Sequence, residues 1–303
     1  MKNKNKISLI VICILDGWGI APPSEGNAIS QADTNNFDKL IADYPVCTLK
    51  AAGPDIGLSK NQAGNCEAGH YCLGASRKWP INTANNIDST LSGRLSQAGY
   101  KLSYLSDSEK IANITHFFNK GAGQVDNEAE VVIMSDPRLD NYMDAPELAS
   151  LGVYKFAKKA IRQRGQNAVI VNFSNLDLVA CTGSLAATIK SIEIIDNIIG
   201  ELADLVSDKK GILAIVADHG IAEAMIDPAT SEVNKATTDN PAPFIIVSQE
   251  FLGRNIGWQD ASGNDLSVLK PIGSLLDFAP TILDLLDIKK PEEMMGKSLL
   301  KKE

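Results

Sequence analysis

One cysteine stands in a setting that could make it a nucleophile or a metal ligand. Cys66 lies within residues 64–70, where two glycines and an asparagine bracket a compact side chain, and residues 71–77 have the pattern of a short helix that ends at Arg77. A thiol presented where a loop enters a helix gains acidity from the helix N-terminus. We therefore predict that Cys66 attacks phosphorus or binds a metal; a small buried thiol in a glycine-rich turn is the alternative.

Three aspartates could supply further ligands. Asp16, Asp177 and Asp218 lie at or just beyond the ends of apolar runs that are typical of buried strands. In an open parallel sheet, ligands bind at the edge formed by the carboxyl ends of the strands. Acids that meet there repel one another unless a cation lies between them. With His219 and the Cys66 thiolate, the three aspartates offer mixed oxygen, nitrogen and sulfur ligation, which suits zinc or manganese. The alternative for each aspartate is that it caps a helix after a strand.

The elements that must position these residues alternate along the chain. The runs 7–15, 168–173 and 211–217 are apolar apart from Ser8 and Asn172, as in strands buried on both faces of a parallel sheet, and residues 184–206 carry one apolar stripe of a long helix. This order predicts an α/β fold with a mostly parallel central sheet and helices on both faces. The same patterns predict strands at 46–52, 100–105, 131–134 and 243–247, and helices at 35–43, 91–98, 146–164 and 275–286, with a short helix opening at Ser108.

Composition and charge indicate which partners the protein binds and in which compartment it resides. The chain has 303 residues, 44% of them hydrophobic, and a formal net charge of −8 without a long basic run. We therefore expect no binding to nucleic acid or to an anionic membrane, and an anionic substrate would need a local positive site. Five cysteines without a C-x-x-C pair favour a reducing compartment over a disulfide framework, with the cytoplasm as the default.

The N-terminus imitates a secretory signal, because three lysines precede the apolar run 7–15. That run ends directly in Asp16 rather than in a small-residue cleavage site, and no stretch of the sequence is long enough to span a bilayer. We therefore predict a strand, with a signal peptide as the alternative.

Motifs spread over almost the whole chain, in matching order and spacing, resemble cofactor-independent (2,3-bisphosphoglycerate-independent) phosphoglycerate mutase. They are LDGWG (15–19), GNA (26–28), NFD (36–38), GNCEAGH (64–70), NFSNLD (172–177), ADHG (217–220), TDNPAPF (238–244) and PTILDLL (280–286). The resemblance implies the alkaline-phosphatase-like fold and a two-metal phosphoryl-transfer site. It places Cys66 at the family's nucleophilic serine, and it implies one metal site made of Asp16, Cys66, Asp218 and His219.

The second metal site of the family is altered in this sequence. It would use Asp177 and two histidines, but the chain has Cys181 and Thr237 at the histidine positions. A carboxylate with a thiol and a hydroxyl suits a hard cation poorly, although Cys181 could hold zinc if a third ligand moved in. We therefore expect one divalent transition metal ion, manganese or zinc, rather than two.

The resemblance also bears on catalysis and substrate binding. Lys110 falls on the family's active-site lysine and is predicted to be catalytic together with Cys66, and Asn113 replaces a histidine of the family pattern. Asn65 and Arg77 are predicted to bind the substrate, a small phosphorylated metabolite.

A second domain of the family has no counterpart here. Family members insert it between the nucleophile loop and the lysine segment, and its arginines hold the phosphoglycerate, whereas residues 78–90 bridge that gap in this chain. Residues 1–303 are therefore predicted to fold as one alkaline-phosphatase-like domain, for which phosphomonoester hydrolysis is expected rather than full mutase activity. The alternatives are a catalytically inactive relative that serves as a binding or regulatory module, and a thiol-redox role for Cys66 and Cys181.

Overall fold

Strands and helices largely alternate along the chain, as the apolar patterns predict. The computed structural model describes residues 7–80, 89–119, 129–134, 147–163, 167–254, 256–258 and 261–300. The β-strands in these residues are β1 (Ile10–Leu15), β2 (Val46–Lys50), β3 (Leu102–Asp107), β4 (Glu130–Met134), β5 (Ala168–Phe173), β6 (Ile212–Ala217), β7 (Ala242–Val247) and β8 (Gly273–Ser274). The α-helices are α1 (Ala28–Gln31), α2 (Asn35–Asp43), α3 (Cys66–Ala75), α4 (Leu91–Gln97), α5 (Leu148–Arg162), α6 (Asn175–Ala180), α7 (Leu185–Asp208) and α8 (Phe278–Leu285).

The strands form one sheet in the order β4-β3-β5-β1-β6-β7-β2-β8. At its centre β1 pairs in parallel with β5 on one side and β6 on the other, and Leu15 lies opposite both Phe173 and Ala217. Every residue of these three strands is buried. The three strands therefore end level with one another, and the predicted α/β fold with a mostly parallel sheet is confirmed.

One strand runs against the others. β7 is antiparallel to both β6 and β2. The segment between β6 and β7 contains turns and an isolated bridge between Ile226 and Val233 but no α-helix. Since a parallel neighbour needs a long crossover, usually helical, and an antiparallel one does not, this connection suits the reversed direction of β7.

Helices cover both faces of the sheet. On one face α1, α2, α5 and α6 pack around α7, whose buried stripe includes Ile192, Ile195 and Ile199. On the other face α3 and α4 pack against α8. The central strands are therefore sealed from water between two helical layers, and their side chains form the core.

Some element boundaries differ from those predicted. The segment after β3 forms a turn at Ser108 instead of opening a helix there, and a π-helix follows at Asn113–Phe117. Residues 81–88 of the predicted connection, and both ends of the predicted helix 146–164, lie outside the described residues. Within the described ranges, no helix combines the length and the apolar character needed to cross a membrane.

Candidate functional site

Three carboxylates reach the same edge of the sheet. Asp16 follows β1 and Asp218 follows β6 directly, while Asp177 lies in the first turn of α6, just after β5. All three aspartates are buried. Because β5, β1 and β6 are neighbours that end level, their carboxylates meet at the edge where ligands bind in open parallel sheets.

Cys66 is the first residue of α3, and Asn65 is its N-cap. The side-chain oxygen of Asn65 accepts a hydrogen bond from the N–H of Ala68 at 2.9 Å, which explains why the helix begins here. The loop-to-helix setting predicted for Cys66 is therefore present. Asn65, predicted to bind substrate, uses its amide oxygen to cap the helix that carries Cys66.

The thiol of Cys66 lies in the middle of the cluster. Its Sγ is 3.1 Å from His219 Nε2 and 3.1 Å from Lys110 Nζ. It is also 3.6 Å from Asp177 Oδ2, to which Lys110 Nζ donates a hydrogen bond at 3.0 Å. Cys66 is partly exposed and the side chain of Lys110 is 20% exposed, so this side of the cluster faces solvent. The structure thus brings both predicted catalytic residues together with two of the predicted metal ligands.

His70 belongs to the cluster, although the sequence analysis did not single it out. It is fully buried, with Nδ1 2.9 Å from the Cys66 carbonyl oxygen and Nε2 3.1 Å from Asn172 Oδ1. The same ring contacts Asp16 Oδ1 at 3.5 Å and Asp218 Oδ2 at 3.3 Å. These two carboxylates outweigh burial and raise the pKa of His70 to about 9. Its spacing four residues after Cys66 on one helix was the signal that could have revealed it.

Two carboxylate oxygens of the cluster face only the histidine rings. Asp16 Oδ2 accepts hydrogen bonds from the amides of Asn172 at 3.0 Å and Asn113 at 3.4 Å. Asp218 Oδ1 accepts one from the backbone N–H of His219 at 2.8 Å. The opposite oxygens, Asp16 Oδ1 and Asp218 Oδ2, are buried and accept no hydrogen bond from a backbone or amide group; they face the His70 ring at 3.5 Å and 3.3 Å. A buried carboxylate needs a positive charge beside it, which His70 supplies in part, so both oxygens also fit a role as metal ligands.

The ligand atoms form two groups that share one aspartate. Cys66, Asp218 and His219 form one group, and Asp16, His70 and Asp218 the other, with the atoms of each group within 4.8 Å of one another. Three of the four ligands predicted for the first metal site thus lie together, and Asp16 adjoins them through Asp218. Sulfur, nitrogen and oxygen donors at this spacing fit a transition metal ion such as zinc.

Burial and neighbouring charges set the protonation of the cluster. Burial and the Asp218 charge raise the pKa of Asp16, whereas His219 and His70 outweigh the effect of burial and lower the pKa of Asp218. Burial, reinforced by the carboxylates, raises the pKa of the Cys66 thiol. The acidity expected from the helix N-terminus is therefore outweighed even with the Lys110 ammonium 3.1 Å away, and a bound metal ion would be needed to favour the thiolate.

Two predicted site residues lie at the margin of the cluster or outside it. Cys181 is exposed just after α6, with Sγ 3.9 Å from Asp177 Oδ1, and it belongs to neither group of close ligand atoms. Arg77 lies beyond the C-terminal end of α3, at the opposite end from Cys66. Because α3 has ten residues, its two ends are roughly 15 Å apart. The structure therefore does not bring Arg77 to the cluster.

Similar sequences carry the name that the motifs suggested. The 2,3-bisphosphoglycerate-independent phosphoglycerate mutase of Clostridioides difficile is 35% identical over 220 residues, which are 72% of this chain and 40% of that protein. The protein of the same name from Aster yellows witches'-broom phytoplasma is 39% identical over 198 residues, 65% of this chain and 35% of that protein. The chain thus spans at most about 40% of the length of these curated relatives.

Solved structures and a family comparison agree with the fold. A phosphoglycerate mutase from Leishmania mexicana, solved at low cobalt concentration, superposes with a TM-score of 0.82 at 14% identity, covering 100% of this chain and 99% of that one. The alkaline phosphatase of the Antarctic bacterium TAB5 covers 94% of this chain and 99% of its own with a TM-score of 0.52 at 9% identity. The sequence pattern of the metalloenzyme superfamily matches residues 8–290. The chain therefore belongs to the metalloenzyme superfamily and has an alkaline-phosphatase-like fold.

Proposed function

We propose that this chain is a metal-dependent phosphoryl-transfer enzyme that hydrolyses a phosphomonoester of a small phosphorylated metabolite. The observation that carries the proposal is the Cys66 sulfur, 3.1 Å from both an imidazole and an ammonium group, in a group of close ligand atoms with Asp218 and His219. The residues that would hold one zinc or manganese ion are Asp16, Cys66, Asp218 and His219. When bound, such an ion supplies Lewis-acid polarisation of a phosphoryl oxygen. Free cysteines suit the reducing cytoplasm as the place of action.

Lys110 and Cys66 have different proposed roles, which follow from their charge. The Lys110 ammonium, at the exposed side of the cluster, is placed to attract the phosphoryl group of a substrate that enters from solvent. The Cys66 sulfur can bind the ion or attack phosphorus, and both roles use a lone pair of the same sulfur. Metal binding therefore blunts its nucleophilicity. For this reason we propose slow hydrolysis.

The short segment 78–90 supports hydrolysis rather than isomerisation. A mutase must keep its substrate while the phosphoryl group changes oxygen, and residues 78–90 stand where the resemblance implies the domain whose arginines hold the phosphoglycerate. An open site with one lysine can bind a phosphoryl group and release the product to water. Hydrolysis of a generic phosphomonoester is therefore the simplest activity that this geometry supports.

The test combines metal analysis with a phosphatase assay on protein purified without chelator. We expect about one transition metal ion per chain and cleavage of p-nitrophenyl phosphate, faster in Cys66→Ser and abolished in Asp218→Asn. Asp204→Asn is the matched control, because Asp204 is exposed near the C-terminal end of α7, which leads into the start of β6, whereas Asp218 follows the end of β6; it should behave as the wild type. Metal-free protein that is inert with either residue at position 66 would overturn the proposal.

A catalytically inactive relative that acts as a binding or regulatory module is the second candidate. Cys181 and Thr237 in place of the family's histidines, and the raised pKa of the Cys66 thiol, favour it. In that case a partner recovered by pull-down would bind Asp218→Ala as well as the wild type. Phosphatase turnover that the same substitution abolishes would exclude this candidate.

A further inference from the structure

We propose that the ammonium group of Lys110 is a built-in second cation of the site, which occupies Asp177 and limits the chain to one bound metal ion. The inference rests on the proposed metal site. It concerns what Lys110 does when no substrate is bound.

The contacts of Lys110 match those expected of a bound cation. Its Nζ lies 3.0 Å from Asp177 Oδ2 and 3.1 Å from Cys66 Sγ. The Asp177 side chain is only 5% exposed, so the ammonium is a direct, largely desolvated partner of that carboxylate. Asp177 and the Cys66 sulfur, the two groups that a second metal ion would use, are thus already bridged by a positive charge.

The backbone around Lys110 keeps the ammonium near Asp177. The N–H of Lys110 donates to Asp107 Oδ1 at 3.0 Å, and Asp107 Oδ2 accepts a hydrogen bond from the hydroxyl of Ser174. Ser174 is the N-cap residue of α6, the helix that carries Asp177. A buried carboxylate therefore ties the turn of Lys110 to the start of the helix of Asp177, and the pairing of the two side chains follows from the fold.

Two further donors lie near Asp177, but neither removes the repulsion by Lys110. Cys181 Sγ lies 3.9 Å from Asp177 Oδ1 and belongs to neither group of close ligand atoms. His219 Nε2 is 3.8 Å from Asp177 Oδ1 but also belongs to the group with Cys66 and Asp218. A divalent ion at Asp177 would have to displace the ammonium or tolerate its repulsion. Removing the charge of Lys110 should therefore open the position.

The test counts zinc ions bound to metal-depleted protein by isothermal titration and native mass spectrometry. We expect one equivalent for the wild type and two for Lys110→Met, which keeps the length of the side chain but not its charge. Lys110→Arg is the matched control and should bind one equivalent. Lys110→Gln provides a second uncharged variant should Lys110→Met fold poorly, and Lys110→Met combined with Asp177→Asn should return to one equivalent.

Two equivalents in the wild type, one equivalent in both uncharged variants, or no bound zinc in any form would overturn the inference. Ion counting needs no turnover, so its outcome is separate from that of the phosphatase assay. A different result is that the wild type binds one zinc ion and Lys110→Met two, while neither cleaves a phosphomonoester. That result would refute the proposed function but support this inference.

Discussion

Gly69 packs directly against Asp218: a Cβ atom at Gly69 would lie 2.5 Å from the Asp218 carbonyl oxygen. This contact sets how closely the helix that begins at Cys66 approaches the end of β6. Since the neighbouring atom is backbone, it cannot rotate away as a side chain would. Glycine at position 69 is therefore required for the observed distance between the Cys66 sulfur and the ligands after β6, because the methyl group of an alanine would push α3 away.

The first prediction concerns this contact. Gly69→Ala should destabilise the fold by about 1–3 kcal/mol, the usual cost of forcing an extra methyl group into a packed interior, and should weaken zinc binding by displacing Cys66. Urea unfolding and a zinc titration measure the two effects. Gly152→Ala is the control, because the added Cβ there would meet the flexible end of Met134. Equal, small effects of both substitutions would show that the Gly69 contact does not position α3.

The second prediction concerns the buried cation His70. His70→Leu removes the positive partner of Asp16 and Asp218, and loss of one partner from a buried ion pair typically costs about 3–5 kcal/mol. We expect such a loss in metal-free protein, partly recovered when zinc is added because the ion then neutralises the same carboxylates. Denaturant unfolding with and without zinc measures it. His116→Leu, at a half-buried position next to Phe117, should change stability little in either condition. A zinc-independent loss in His70→Leu would contradict this explanation.

The third prediction separates the two cysteines of the site as ligands. Cys66→Ser should weaken zinc binding by at least about tenfold and shift the preference toward manganese, because a hard hydroxyl replaces a soft thiolate. Competition against a chromophoric chelator measures both affinities. Cys181→Ser is the matched comparison and should leave them unchanged, since Cys181 belongs to neither group of close ligand atoms. A larger effect at Cys181 than at Cys66 would place the ion beside Asp177.

The fourth prediction uses a thiol away from the site. Burial raises the pKa of Cys72 to about 12, above the value of about 8.5 for a thiol in an unfolded chain. A raised pKa in the folded state gives a stabilising contribution that is fully present below the unfolded value and is lost as pH rises toward the folded one. Between pH 9 and 11 this thiol should therefore reduce the free energy of unfolding by about 1.4 kcal/mol per pH unit.

The comparison that isolates Cys72 is the slope of stability against pH. Cys72→Ala should be less stable than the wild type at pH 7, but its free energy of unfolding should fall less steeply above pH 9. Cys181→Ala should flatten the slope less than Cys72→Ala, because Cys181 is exposed and solvent screens the interactions that raise its pKa to about 11. Parallel slopes for Cys72→Ala and the wild type would rule out this contribution.

Much of the fold could be predicted from local patterns. The predicted strand 168–173 coincides with β5, and the predicted helix 35–43 coincides with α2. Strands buried on both faces are largely apolar along their length, as β5 is apart from Asn172, so their ends are visible in the sequence. The direction of β7 was not visible, because a strand has the same pattern in both directions and only its neighbours decide how it pairs.

The sequence by itself determined the residue types of the site: acids after strands, a cysteine at the start of a helix, and a histidine beside Asp218. The tertiary structure decided the distances and the charges. It placed His70 between Asp16 and Asp218, brought Lys110 to Asp177, left Arg77 at the far end of α3, and raised the pKa of the Cys66 thiol. The physical reason is that hydrogen bonding and desolvation depend on atoms brought together from distant parts of the chain, which local pattern does not record.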